Sequence, residues 1–248
     1  MNTIGASILI FSYVVYSENA GRREMGSCPY RYTKLLDYKR LFIMLTTLVL
    51  DIGNVICDWN PDGLVATAFD SQEDREKALD VTVRNPDWLE LDKGTISVEE
   101  AIKRAQARTT LDPAGIARIY ANLCTSLIAL PATMTAMHKA KAANIPIYIL
   151  SNMQAHAWEY LSKTYDCFDA CEGVLVSCDV GLIKPDRAIY QCLCDTFSLT
   201  ASECVFVDDM AENIEAAKAF GMQGVQLTDK HAGGKVVDSL IAEIVAGR

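Results

Sequence analysis

Asp51 closes the apolar run Thr47-Leu48-Val49-Leu50 and opens Ile52-Gly53-Asn54-Val55-Ile56. Three more polar signatures follow in order. Ser151-Asn152 ends Ile147-Tyr148-Ile149-Leu150, Lys184-Pro185-Asp186 precedes a helical stretch, and Asp208-Asp209 ends Cys204-Val205-Phe206-Val207. Three of the four stand where a buried strand stops, and one edge of a parallel sheet is where such folds place their ligands. One carboxylate, one hydroxyl, one ammonium and an acidic pair gathered there can form a metal-assisted phosphate site. Each signature alone has a plainer reading. An Asp after a strand is often a turn former, Ser151-Asn152 can cap the following helix, and Lys184 can be a solvated loop residue. Asp208-Asp209 resists this, because adjacent carboxylates repel and call for a cation. Order, spacing and strand-end placement together favour the site.

The elements that must hold these residues alternate. After Met44 a buried strand covers 46–51, and 64–129 is mostly helical. Within it Ser97-Val98-Glu99-Glu100 is a capping box for a helix over 99–108, and Asp112-Pro113 supplies an N-cap and first-turn proline for a helix over 114–127. A helix over 133–143 ends at Asn144 and Pro146. The pattern then predicts strand 146–150, helix 154–164, strand 173–177, helix 187–197, strand 204–208, helix 211–220 and strand 223–227. This implies right-handed βαβ units and an α/β fold with a doubly wound parallel sheet. Residues 44–63 and 130–248 form the α/β core, and 64–129 a helical cap inserted above the site.

Composition narrows the partners. The net charge of -9 argues against nucleic acid, since phosphate backbones call for basic faces. Nine cysteines show no paired Cys-x-x-Cys clusters with zinc spacing, so they read as reduced, buried thiols of a cytoplasmic protein. Residues 1–43 differ from the rest, with a balance of +3 that leaves -12 for the remainder. The apolar stretch 4–16 is shorter than the roughly 20 residues that span a bilayer, and no basic residue precedes it as in a signal peptide. Residues 1–43 therefore read as a disordered extension or a wrongly chosen start, with a targeting or membrane-contact segment as the alternative. No membrane partner is expected.

With these motifs in view, the chain resembles the haloacid dehalogenase-like (HAD) hydrolase superfamily, in its phosphatase-like branch with a D-x-G-N-V first motif. The likeness runs from Leu48 to Leu227. It rests on Asp51-Ile52-Gly53-Asn54-Val55-Ile56, Leu150-Ser151-Asn152, Gly181-Leu182-Ile183-Lys184-Pro185-Asp186 with Ile189-Tyr190, and Val207-Asp208-Asp209 with Asn213. Trp88 to Glu100, with Gly94 and Ile96, looks like that branch's cap junction. The resemblance implies a Rossmann-like core and a Mg²⁺-dependent hydrolase of small phosphorylated metabolites, such as sugar phosphate-like monoesters. It implies Asp51 as the nucleophile that forms an aspartyl-phosphate. Mg²⁺ would be held by Asp51, the Gly53 carbonyl and Asp209, with Asp208 and Asn213 behind them. Ser151 and Asn152 would bind the phosphoryl oxygens, and Lys184 would supply fixed positive charge.

One position departs from the family pattern. Most phosphatases of this superfamily carry a second Asp two residues after the nucleophile, as acid and base. Here that residue is Gly53. The carbonyl ligand survives the change and the acid does not, so activity should depend steeply on leaving-group acidity. Asp58 is a candidate substitute, though a turn or cap role suits it as well. Two other functions remain open. Dehalogenases of this fold need no metal and typically lack the Asp pair, so Asp208-Asp209 favours phosphate. A non-catalytic phosphate-binding module predicts binding without turnover. A phosphonate hydrolase would need a cap lysine, and nothing marks Lys77, Lys93 or Lys103. Trp59, Trp88 and Tyr120 are candidates for the pocket wall or for cap core.

Overall fold

The computed structural model describes residues 44–248, so the expectations for 1–43 lie outside the described residues. Strand β1 (Thr47–Leu50) is wholly buried. It is followed by β2 (Cys57–Asp58), helices α1 (Pro61–Ala66), α2 (Gln72–Val81), α3 (Pro86–Asp92), α4 (Val98–Ala107) and α5 (Pro113–Ser126), and β3 (Ile128–Ala129). Then come α6 (Pro131–Ala142), β4 (Ile147–Ser151), α7 (Ala155–Thr164), β5 (Gly173–Val176), α8 (Ser177–Val180), α9 (Arg187–Phe197), β6 (Cys204–Asp208), α10 (Ala211–Phe220), β7 (Gln223–Gln226) and α11 (Gly233–Gly247).

The main sheet runs β5-β4-β1-β6-β7, and every neighbouring pair is parallel. Side chains alternate across it, as a strand's two-residue period requires. Leu48, Leu50, Ile147, Ile149, Val205 and Val207 enter one core cluster, which includes α6 and α11. Val49, Leu150, Phe206 and Leu175 enter the other, with α9 and α10. Both faces are covered, which explains why these strands are apolar throughout.

β1 lies between β4 and β6, with Leu50 opposite Ile149 on one side and Val207 on the other. The next residues along these three strands therefore emerge together at one edge. The Asp51 amide continues the ladder by donating to the Val207 carbonyl at 2.9 Å.

Helices α1 to α5 fill the connection between β1 and β4. They begin earlier than residue 64, because Asn60 caps α1 and Pro61 takes its first position. Asn60 Oδ1 accepts the Gly63 N–H at 2.9 Å. The Ser97 and Asp112 N-caps form, accepting the N–H of Glu100 at 3.2 Å and of Gly115 at 3.1 Å, but Glu100 turns to Arg104 at 2.7 Å, so only the Ser97 half of the expected capping box is seen. Entry to and exit from this helical block are clamped by the antiparallel pair β2–β3, Cys57 against Ala129 and Asp58 against Ile128. Two residues per strand carry no periodicity, so this clamp has no signal in the sequence. Helix α11 follows the last expected strand, and its Val237, Leu240 and Ile244 recur at helical spacing and are buried. It packs on α6, with Lys139 paired to Asp238 at 2.7 Å.

The eight described cysteines are free. Burial pushes Cys171 up to about 12 and Cys167 up to about 11, so these are inert apolar side chains at neutral pH. No described helix is long and apolar enough to cross a membrane.

Candidate active site

The sheet edge brings Asp51, Ser151, Lys184, Asp208 and Asp209 together, from the ends of β1, β4 and β6 and the loop before α9. The first four are nearly closed off from solvent, at 6%, 2%, 4% and 0% exposure. Lys184 Nζ lies 2.8 Å from Asp51 Oδ1 and 2.7 Å from Asp208 Oδ2, and donates to the Leu150 carbonyl at 3.1 Å. It also sits 5.3 Å from the centre of the Phe206 ring. A buried ammonium with two carboxylates is held charged. Burial pulls Lys184 down, but Asp51 and Asp208 outweigh it, and its pKa ends above the ordinary lysine value.

Asp51 shifts upward too, so the two partners of one ion pair move in the same direction. Burial raises Asp51, Lys184 and a Ser151 hydrogen bond pull it back, and Asp208 pushes it up. The 2.8 Å pairing to a charged lysine decides the matter in favour of an ionised Asp51 at neutral pH. The contact lies off the hydrogen-bonding direction, and Asp51 Oδ1 is a buried acceptor without a hydrogen bond.

Asp208 is committed to the protein. Its Oδ1 accepts the Met210 N–H at 2.7 Å and Asn213 Nδ2 at 3.0 Å, and its Oδ2 accepts Lys184 and Asn213. Asn213 is fixed in turn, its carbonyl taking the Tyr190 hydroxyl at 2.9 Å. Asp209 is freer. One oxygen accepts Asn54 Nδ2 at 2.9 Å, and burial raises its pKa against that bond. One carboxylate oxygen each from Asp51, Asp208 and Asp209 lies within 4.8 Å of the others.

These residues fit a hard divalent cation. Three carboxylates share one ammonium, and hard cations take oxygen ligands. The Ile52 carbonyl receives the N–H groups of Val55, Ile56 and Cys57, whereas the Gly53 carbonyl accepts none among the described residues. Asp51, Gly53 and Asp209 thus offer free lone pairs where Asp208 has few.

Asn152 departs from its expected use. Its amide forms a two-way pair with the Lys184 backbone, Nδ2 to the carbonyl at 3.0 Å and Oδ1 from the N–H at 2.8 Å. The side chain locks the lysine loop onto the β4 end. Asp58 does not approach as a free acid, being ion-paired to Lys230. Lys77 and Lys103 are exposed and paired with Glu73 and Glu100. Trp88 stands between Trp59 and Tyr120, with centroids 5.8 Å away in both cases. Trp88 and Tyr120 are buried in the core of the helical block, and Trp59 lies beside Gly53.

Four contributors went unrecognised in the sequence. Asn54 braces Asp209 and accepts the Trp59 N–H at 3.0 Å; its φ of 53° was foreseeable, since Asn tolerates the left-handed region. Asp92, Gln154 and Ser177 are buried polar residues around the β4 end. Asp92 did leave a trace, because an acid in the last turn of a helix opposes the helix dipole.

Comparison with known proteins agrees with this geometry. The model of the haloacid dehalogenase-like hydrolases matches residues 45–221. The sesquiterpene phosphatase astK of Aspergillus oryzae is 28% identical over 185 residues, covering 74% of this chain and 90% of that protein. Among solved structures, a HAD family enzyme of Bacteroides thetaiotaomicron, complexed with magnesium and inorganic phosphate, superposes with a TM-score of 0.58 at 19% identity. It covers 73% of this chain and 93% of that one. The L-2-haloacid dehalogenase of Xanthobacter autotrophicus, with chloropropionic acid covalently bound, gives 0.57 at 17% identity, covering 82% and 87%. The sheet, its order and the matched span place this chain in the haloacid dehalogenase-like hydrolase family.

Proposed function

We propose that this hydrolase is a Mg²⁺-dependent phosphatase of small phosphorylated metabolites, acting through an aspartyl-phosphate on Asp51. The observation that carries the reading is the buried Lys184 bridge between Asp51 and Asp208, with Asp209 beside it. A site that keeps a second and third carboxylate beside its nucleophile is made for a cation. Asp51, the Gly53 carbonyl and Asp209 would hold the metal. When bound, it offsets the repulsion between a carboxylate nucleophile and a phosphate dianion.

The chain's own groups do the remainder. Lys184 keeps Asp51 ionised and places positive charge against the transferring oxygens. Asp208, Asn213 and Tyr190 hold that ammonium in register. The Ser151 hydroxyl and the Asn152 N–H would donate to the phosphoryl group. Asp51 attacks phosphorus, the bond to the leaving oxygen breaks, and water then releases phosphate from Asp51. The helical block over the edge favours small soluble substrates over proteins. The phosphatase relative adds sesquiterpene phosphates to sugar phosphates as the first compounds to assay.

The test is phosphate release from an aryl phosphate with Mg²⁺ and with EDTA, in the wild type and in Asp51→Asn. Turnover should need the metal and should fall about 10,000-fold or more in the variant, as when other nucleophiles are removed. Undiminished turnover in Asp51→Asn ends the aspartyl-phosphate reading. Metal-independent halide release from a 2-haloacid would replace it with a dehalogenase.

A further inference from the structure

Asn54 joins the candidate cation site to the strand that leads into the helical block. Its φ of 53° lies in the left-handed region, which asparagine tolerates better than most residues. Its N–H donates to the Cys57 carbonyl at 2.7 Å, closing the turn after Asp51. From this turn the side chain reaches two neighbours. Nδ2 donates to Asp209 Oδ2 at 2.9 Å, and Oδ1 accepts the Trp59 N–H at 3.0 Å. Only one orientation of the amide serves both, because a main-chain N–H needs the oxygen and a carboxylate needs the NH₂. The Trp59 N–H is itself held. It follows β2, where Cys57 pairs with Ala129 and Asp58 with Ile128. Asp58 is also ion-paired to Lys230, and Asn60 caps α1.

Asp209 has little else to fix its side chain. Gln226 donates to its main-chain carbonyl at 3.0 Å. Its carboxylate is half-buried, and among the described residues it takes a side-chain hydrogen bond from Asn54 and forms no ion pair. Asp208, next to it, is held by Met210, Asn213 and Lys184 together. The difference matters for a ligand. A carboxylate whose rotamer is left free must be ordered when the cation arrives, and that cost offsets part of the binding. Without Asn54, Asp209 is such a carboxylate.

We infer that Asn54 is the positioning residue of the cation site: it pins Asp209 by one carboxylate oxygen and so leaves the other fixed for the metal. The inference rests on the phosphatase reading above. In this role Asn54 touches neither substrate nor metal. It acts through Asp209, and the Trp59 N–H decides which end of its amide faces the acid. The cation depends on the side chain and not on the turn, because glycine would serve the turn's backbone angle as well.

The experiment compares the full chain as wild type, Asn54→Gly and Asn54→Ala, each stripped of metal. Mn²⁺ binding is followed by the EPR signal of the free ion, with Mg²⁺ as competitor, and its loss in Asp209→Asn assigns it to this site. Both Asn54 variants should bind the two ions about 10- to 100-fold more weakly, as when other groups behind a metal ligand are removed. Their stabilities should part, because glycine accepts the left-handed angle and alanine does not, so Asn54→Ala should melt below Asn54→Gly. Equal losses of affinity at unequal stability are the signature of the side chain; affinity that tracks stability shows a structural role and overturns the proposal. With an aryl phosphate, the Mg²⁺ concentration for half-maximal turnover should rise by the same factor, while kcat at saturating Mg²⁺ stays near the wild-type value. Unchanged affinity in Asn54→Gly overturns the proposal. Tighter binding does so too, because Asn54 would then compete with the cation. If Asn54→Ala does not fold, Asn54→Gly decides alone. A wild type that binds Mn²⁺ here but hydrolyses no phosphate ester refutes the phosphatase reading, and the affinities of the variants still judge Asn54. A wild type that binds neither ion ends both.

Discussion

The sheet edge and the helical block between β1 and β4 are built by opposite means. At the edge, polar groups come from residues as far apart as 51, 151, 184 and 208, and the ion pairs that join them run between segments distant in sequence. Lys184 alone binds residues at the ends of β1, β4 and β6. In the helical block the polar work is local. Asn60, Ser71, Asn85, Ser97 and Asp112 cap the helices they precede, and the ion pairs Lys77–Glu73 and Arg84–Asp80 are i,i+4 on exposed faces. Even Asp87, which binds Arg104 and Arg108, stays within the block. Charge at the edge is concentrated and desolvated, while charge on the block is spread and hydrated. Asp92 is the exception, a residue of the block with the burial of the edge.

The sharpest break in this contrast is Lys184→Met, which keeps the volume and removes the cation. Asp51 and Asp208 would face each other unpaired and buried. Stability should fall by about 3–5 kcal/mol, the usual result of stripping one partner from a buried pair. Turnover should fall at least about 100-fold, as for removal of a charge-stabilising donor. Denaturant melts and aryl phosphate kinetics measure the two. A loss under about 1 kcal/mol, the range of surface pairs, would show that the edge is solvated after all.

Asp92 gives the next largest effect. Its folded pKa stands near 7 against a model value of 3.8. The folded chain therefore holds a proton that the unfolded chain has released between these values. Stability attributable to Asp92 is intact below pH 3.8, falls as pH rises, and is fully lost above about 7. The span is on the order of 4 kcal/mol. Asp92→Asn removes this dependence, so the variant should gain on the wild type as pH rises from 5 to about 8. Parallel curves for the two proteins would place Asp92 with the solvated acids of the block.

Asp209→Asn should preserve folding, because Asp209 is half-buried and accepts one side-chain hydrogen bond, from Asn54. It should raise the Mg²⁺ concentration for half-maximal activity by about 10-fold or more, on the scale of lost metal contacts. An unchanged Mg²⁺ requirement would remove Asp209 from the ligand set. The smallest effect belongs to Ser97→Ala, a cap on the block. It should cost about 1 kcal/mol and leave turnover unchanged. A change in the chemical step would show that α4 transmits strain to the edge.

This contrast also governs what was legible in the residues alone. The central strands showed because they are apolar on both faces, and the caps showed because they act within three residues. Asp51, Lys184 and Asp208-Asp209 showed because each interrupts or follows an apolar run. The β2–β3 clamp was hidden, since two-residue strands have no period. Helix α11 had the spacing but lay beyond the motifs. The N-terminal start of the helical block is set by Asn60-Pro61, a cap signal of the same kind as Asp112-Pro113.

Sequence by itself determined the α/β architecture, the strand order's raw material and the chemical identity of the edge, because periodicity and side-chain type are local properties. Only the tertiary structure decided which lone pairs remain available. It ties up Asp208 and frees the Gly53 carbonyl. It turns the Asn152 amide onto the Lys184 backbone, gives Asp58 to Lys230, and buries Asp92 against Ser177. Each of these outcomes depends on desolvation and on partners tens of residues away, and neither quantity is written in any short stretch of chain.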